Sequence, residues 1–157
     1  MPRITTNLWF DDQAEAAASF YVSVFPNSRI TAITHYTDSG PGPSGSVLTV
    51  DFELDGQPYT GINGGPMFTF TEAISLLINC EDQTEIDYYW DTLSAGGAES
   101  QCGWLKDKYG LSWQVVPANW TELMNDPDTA RVDRAMAAMF TMQKIDIAAI
   151  EAAAAGK

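Results

Sequence analysis

The chain has one histidine, His35, two cysteines, Cys80 and Cys102, and five tryptophans. Most of these groups lack the neighbours that chemistry requires. A cysteine nucleophile needs a base or a positive charge beside it. Lys106 and Lys108 are near Cys102 in sequence, only Lys106 shares its strand parity, and there is no imidazole partner. A lone His35 reads as a surface or core residue rather than a ligand. The acid pairs Asp11-Asp12, Glu81-Asp82 and Asp126 with Asp128 fall where helices should start, and caps and dipole partners account for them. What remains is a set of amides, hydroxyls and aromatic rings. By strand alternation Asn7 and Trp9 point away from Ile4, Leu8 and Phe10. Ser112, Gln114 and Val116 share a face, and Cys102 shares one with Trp104 on the neighbouring strand. Asn63 ends a strand beside two glycines, where backbone can approach a ligand closely. Such a set suits a pocket that stacks an apolar or aromatic molecule and hydrogen-bonds it through amides. The competing reading makes Trp9, Trp104 and Trp113 core residues, and Asn63 and Gln114 stand open between the two.

The elements that must position these groups follow from periodicity. Residues 4–10 alternate as a strand, and 13–25 read as a helix in which Ala17, Phe20 and Val24 recur on one face, with Asp12 as its cap. Strands are predicted at 29–36, 46–54 and 57–63. The last two are joined by Asp55-Gly56, a two-residue hairpin signal. Ser39-Gly-Pro-Gly-Pro-Ser-Gly45 must be an irregular loop. The order then repeats: a strand at 73–80, a helix at 83–94 with Asp82 as its cap and Ile86, Trp90 and Leu93 on one face, and strands at 101–106 and 111–117. At an offset of 70, Asp12-Gln13-Ala14-Glu15 lies on Asp82-Gln83-Thr84-Glu85, Leu8 lies on Ile78, and Phe20 lies on Trp90, which reads as a duplication. Beyond 117, Asn125-Asp126-Pro127 opens a helix carrying Val132, Met136, Met139 and Phe140, and an Ala-rich helix follows Asp146.

Composition narrows the classes. The 157 residues fit one domain, and 45% apolar with 18% charged is globular. A formal charge of −13 repels phosphate backbones, so no nucleic-acid partner is expected. No apolar run approaches the roughly 20 residues of a membrane helix, and the N-terminus enters a strand pattern at once, so export and membrane contact are not expected. Two cysteines are too few for a disulfide scaffold. These features together predict a cytoplasmic protein.

Several stretches carry a family resemblance: Leu8-Trp-Phe-Asp-Asp-Gln-Ala-Glu-Ala, Val24-Phe-Pro-Asn-Ser, Asn63-Gly-Gly-Pro, the long run from Gln101 to Pro117, and Lys144-Ile-Asp-Ile-Ala. The chain resembles the PhnB-like branch, often labelled demethylubiquinone methyltransferase, of the vicinal-oxygen-chelate superfamily. That group includes glyoxalase I, ring-cleaving dioxygenases and bleomycin-resistance proteins. The resemblance implies an α+β fold of tandem βαβββ repeats forming a curved mixed sheet around a cleft, with extra C-terminal helices. On that reading 1–117 is a single domain of two modules (about 4–63 and 73–117), and 118–157 is a helical extension.

The resemblance also sets a test. Metal enzymes of this superfamily place one His or Glu on each of four strands. Here those positions fall at Thr5 or Thr6, within Thr60 to Asn63 with Gly61 and Asn63 as candidates, near Ser75, and at Gln114. Neutral hydroxyls and amides are inadequate for a transition metal, so no metal and no cofactor is expected. An adenosylmethionine enzyme usually carries a Gly-rich turn between a strand and a helix. Gly61-Ile-Asn-Gly-Gly-Pro66 is Gly-rich, but no helical pattern follows it. Two hypotheses therefore stand. One is a metal-free binding protein for a small apolar or aromatic molecule, with Asn7, Trp9, Asn63, Ser75, Cys102, Trp104, Ser112 and Gln114 as candidate lining and a homodimer as the expected assembly. The other is an enzyme, either a lyase or isomerase with a displaced metal site or a methyltransferase as the family label states.

Overall fold

A computed structural model describes all residues, Met1–Lys157. The chain divides into two compact units, Met1–Phe70 and Thr71–Lys157. Each contains one four-stranded mixed sheet with a helix packed on one face.

The first unit runs β1 (Thr6–Phe10), α1 (Ala14–Val24), β2 (Arg29–His35), β3 (Val47–Leu54) and β4 (Gln57–Asn63), in the sheet order β1-β4-β3-β2. β1 pairs parallel to β4 with Leu8 opposite Gly61 and Phe10 opposite Asn63, and the other pairings are antiparallel. Leu8, Phe10, Val50 and Phe52 are buried on the face under α1, which contributes Ala14, Ala17, Ala18, Tyr21 and Val24. Three alanines let the helix approach the sheet closely. Gly61 completes the fit, because a Cβ there would sit 3.2 Å from that of Ala14. Ile4, expected under the helix, is 94% exposed because the strand begins only at Thr6.

The second unit runs β5 (Ser75–Cys80), α2 (Gln83–Ser94), β6 (Ala98–Glu99), β7 (Trp104–Lys106) and β8 (Ser112–Pro117), in the sheet order β5-β8-β7-β6. β5 pairs parallel to β8, as β1 does to β4. The repeated strand order agrees with the duplication read from the sequence. Ile86, Trp90 and Leu93 of α2 are buried, as their spacing predicts. Three helices complete this unit: α3 (Trp120–Met124), α4 (Thr129–Met139) and α5 (Ile147–Ala154). The segment before α5 is fastened to α2. Gln83 Nε2 donates to the Ile145 carbonyl, Gln83 Oε1 accepts from the Ile147 N–H, and Lys144 lies 3.2–3.3 Å from Asp91 and Asp87. Arg134 on α4 donates to the Ala153 and Ala154 carbonyls, satisfying the end of α5.

Several boundaries differ from the sequence reading. β5 starts at Ser75 rather than 73, leaving Ile74 exposed. The strand predicted over 101–106 is only Trp104–Lys106, because Cys102 and Gly103 both adopt positive φ, 58° and 83°. β6 and α3 are too short for periodicity to show. The helix expected at Pro127 begins at Thr129, capped by Asp128, whose side chain accepts from the Ala130 and Arg131 N–H groups.

Helix phase also differs between the halves. Tyr21, not Phe20, is fully buried, so the helices superpose at an offset of 69 (Ala17 on Ile86, Tyr21 on Trp90, Val24 on Leu93) while the strands keep 70. Asp11-Asp12-Gln13 separates β1 from α1, against Glu81-Asp82 between β5 and α2. The first junction is one residue longer.

The β7–β8 turn is organised by Asp107, which is 2% exposed. Its Oδ1 accepts from the Tyr109 and Leu111 N–H groups and its Oδ2 from the Trp113 indole. Asp107→Ala removes the acceptor from all three donors and should lower stability by about 2–4 kcal/mol. Urea unfolding of both proteins checks this, and a loss below 1 kcal/mol would mean that the turn holds without the carboxyl.

Candidate functional site

In a pleated sheet with one covered face, alternate residues point to the uncovered one. In the second unit Leu105, Val115 and Cys80 are buried on the α2 side. The other face then carries Ser75, Leu77, Trp104, Lys106, Ser112, Gln114 and Val116, of which Ser112 and Val116 are themselves buried. The register agrees: Ser75 pairs with Ser112, Leu77 with Gln114, Trp104 with Gln114, and Lys106 with Ser112. Four of the expected site residues, Ser75, Trp104, Ser112 and Gln114, are thus brought together. Gln114 is half-buried, and its Nε2 donates to Ser75 Oγ at 2.9 Å. Lys106 is ion-paired with Glu72, and this neighbour holds the Glu72 carboxyl below its ordinary range.

Cys102 does not join this face as alternation predicted. Its positive φ places it in a turn before β7, where its N–H donates to the Met142 carbonyl. Cys80 is buried in the α2-side core, and burial, reinforced by Glu85 and Asp82, pushes its thiol up to about 12. A thiol held protonated in this way is neither a nucleophile nor a metal ligand. Trp113 is 2% exposed with its N–H on Asp107, which makes it a core residue.

In the first unit the uncovered face carries Asn7 and Trp9, opposite Thr60 and Ile62 of β4. Asn7 is exposed. Trp9 is fixed: its indole N–H donates to the Gly65 carbonyl at 2.9 Å, and its ring meets Phe68 edge-on at 4.9 Å. Gly64 must be glycine, since a Cβ there would collide with the Trp9 ring. Trp9, His35, Tyr36 and Ile62 wall a pocket of about 370 Å³.

Asn63 lies on the opposite face from Trp9, with Phe10. It therefore does not share the face of Trp9 but lines a separate pocket with Gly64 and Gly65. Its Oδ1 accepts the Ala14 N–H at 2.8 Å and its Nδ2 donates to the Val47 carbonyl at 3.1 Å. Asp12 was expected to cap α1, but the extra junction residue makes Gln13 the N-cap, and Gln13 forms no side-chain cap hydrogen bond. Asn63 caps the helix from β4 instead. In the second unit Asp82 caps α2 as expected, accepting from the Glu85 N–H, while Glu85 accepts from the Glu81 N–H.

Displaced from capping, Asp12 joins Asp11, Glu15, Tyr36, Pro41 and Pro43 around a pocket of about 660 Å³. The sequence reading missed it by taking 39–45 as a loop alone and the acids as caps. Tyr36 donates its hydroxyl to the Asn63 carbonyl, and this long-range contact has no local sequence signal.

The donor set does not fit a transition metal. Gly61 has no side chain and Asn63 faces the helix, while Gln114 and Ser75 bond each other. No three His, Cys, Asp or Glu side chains are grouped to hold an ion. An adenosyl cofactor fits no better at the strand-to-helix junctions, because Asp11-Asp12-Gln13 and Glu81-Asp82 contain no glycine and present carboxylates.

Comparison with known proteins places this geometry. Residues 2–116 match the family model described as 3-demethylubiquinone-9 3-methyltransferase. Among solved structures, the PhnB protein from Bacillus cereus is 40% identical, with 74% of this chain and 100% of that chain covered and a TM-score of 0.68. Protein PA1353 from Pseudomonas aeruginosa is 17% identical over 73% and 96% of the two chains, with a TM-score of 0.61. The fosfomycin resistance protein FosX from Listeria monocytogenes, solved with Mn(II) and sulfate, is 14% identical over 78% and 94%, with a TM-score of 0.52. The last two show the shared fold. A comparison with curated proteins returns no match.

Two outcomes follow from this geometry. Asn63→Ala should cost about 1–2 kcal/mol by removing the α1 cap and the donor to Val47, while Asn63→Asp, which keeps the cap acceptor, should lose less; thermal melts of the two variants check the order. In the native protein only Cys102 of the two cysteines should react with Ellman's reagent, and both should react in denaturant. Native labelling of Cys80 would contradict its burial.

Proposed function

Since the chain belongs to the 3-demethylubiquinone-9 3-methyltransferase family, with a glyoxalase-like fold, we propose that it binds a small, largely apolar or aromatic molecule on the uncovered faces of its sheets without using a metal. The single observation that carries this reading is the Gln114–Ser75 hydrogen bond. It satisfies two of the four superfamily ligand positions with each other, as a neutral pair. A carboxylate there would need a cation, whereas an amide needs none and still offers an acceptor oxygen to a ligand. Asn7 and Trp9 in the first unit, and Ser75, Trp104, Ser112 and Gln114 in the second, are the proposed contact residues. Asn63 and Cys102 support the site by shaping the backbone around it.

The same reading takes the protein to be a cytoplasmic homodimer. In its support, no helix is long and apolar enough to cross a membrane, and Phe140, at 61%, is exposed at the end of α4 together with Met136. Methyl transfer, the activity in the family's name, remains the alternative. Calorimetry with adenosylmethionine separates the two, because binding would favour the enzyme.

Gln114→Glu tests the neutral pair directly. The new carboxylate accepts from the Ser75 hydroxyl but has no cation beside it, so stability should fall by about 1–2 kcal/mol. Added Zn²⁺ or Ni²⁺ should leave the melting temperature of the variant unchanged, since a serine hydroxyl is the nearest further donor. Restoration of the wild-type melting temperature by metal would overturn the metal-free reading in favour of a displaced metal site.

A further inference from the structure

Ser112 opens β8 on the uncovered face of the second sheet. It is 1% exposed, and its Oγ is buried with no hydrogen-bond partner. Two residues along, Gln114 meets Ser75, but Ser112 has no such arrangement. Ser112 also lines a pocket of about 230 Å³, with Trp104, Leu105, Lys106, Glu72 and Glu99. At the rim Lys106 is ion-paired with Glu72, and Glu99 Oε1 accepts from the Trp90 indole.

A buried hydroxyl without a partner destabilises the fold, and alanine in its place would not. No group of the chain bonds this oxygen, which leaves its hydrogen-bonding capacity to whatever occupies the pocket. We propose that this pocket binds a small uncharged ring compound bearing a hydroxyl, whose polar group bonds Ser112 while its ring packs on Trp104. The proposal rests on the binding reading above and names the class of ligand at one end of that face.

Size, shape and charge converge on this class. A cavity of about 150 Å³ accommodates benzene, so the pocket holds one ring with a polar substituent. Trp104 provides an aromatic wall, and a serine hydroxyl both donates and accepts, which matches a ligand hydroxyl doing the same. A charged group is disfavoured at the floor, because it would be desolvated beside Ser112 with no ionic partner of its own. Lys106 is already neutralised by Glu72, and the chain carries −13, so an anion meets a repulsive field as well.

The test uses the full chain, phenol as the probe and benzoate as its charged counterpart, with ¹⁵N NMR of the tryptophan indole peaks assigned by Trp104→Phe. Phenol should shift the Trp104 indole peak saturably, with a Kd on the order of 1 mM, and benzoate should bind at least tenfold more weakly. Ser112→Ala should melt about 2–4 °C above wild type and bind phenol about tenfold more weakly. A lower melting temperature for Ser112→Ala would show that the fold already satisfies the hydroxyl, and would overturn the proposal. Equal binding of phenol by that variant, equal binding of benzoate, or no saturable shift at Trp104 would overturn it too. If phenol moves the Gln114 side-chain amide but not the Trp104 indole, this pocket is excluded while the broader binding reading stands.

Discussion

In each unit the first and last strands lie side by side and run in the same direction, β1 with β4 and β5 with β8. Parallel neighbours cannot be joined by a hairpin, so a helix and two further strands must be threaded between them. The pairing also brings the C-terminal ends of both strands to the same edge of the sheet, where the helix begins. Phe10 therefore faces Asn63, and Cys80 faces Pro117. That register decides how each helix is capped. Asn63 has an acceptor to offer and takes the first N–H of α1. Pro117 has no such group, and α2 relies on Asp82 within its own chain segment.

The same alternation separates the core from the chemistry. Residues in step with Leu105 and Val115 lie under α2, and those in step with Gln114 form the uncovered face. Metal chemistry in this fold needs imidazole or carboxylate donors on that face. What this chain has there is amide, hydroxyl and indole, with one lysine already paired. Such a surface binds by shape and hydrogen bonding, and its selectivity depends on which polar atoms are left without partners inside the protein.

Long periodic segments were legible in the sequence. The bounds of α2 and of β4, Gln57–Asn63, agree with the reading, and the buried trio Ile86, Trp90 and Leu93 follows from helical spacing. The family and the α+β fold were legible too, through the run from Gln101 to Pro117. Three failures share a cause. Cys102 breaks its strand by a backbone turn stabilised through the Met142 carbonyl, Asn63 caps a helix 49 residues away, and Tyr36 binds the Asn63 carbonyl from just past the end of β2. Each depends on a tertiary partner, to which propensity and alternation are blind. Ser112 and Gln114 share a strand face, as alternation reads, but only coordinates distinguish a satisfied polar side chain from one without a partner.

The extra residue between β1 and α1 has a consequence for how the two halves can exchange sequence. One residue turns a helix by about 100°, so a helix moved between the halves keeps its buried side only if its own junction moves with it. Joined to the two-residue junction instead, α1 would bring Val22 into the place that Tyr21 occupies. The strands and helices of the two halves share an order but keep separate counts, so each junction and its helix act as one unit.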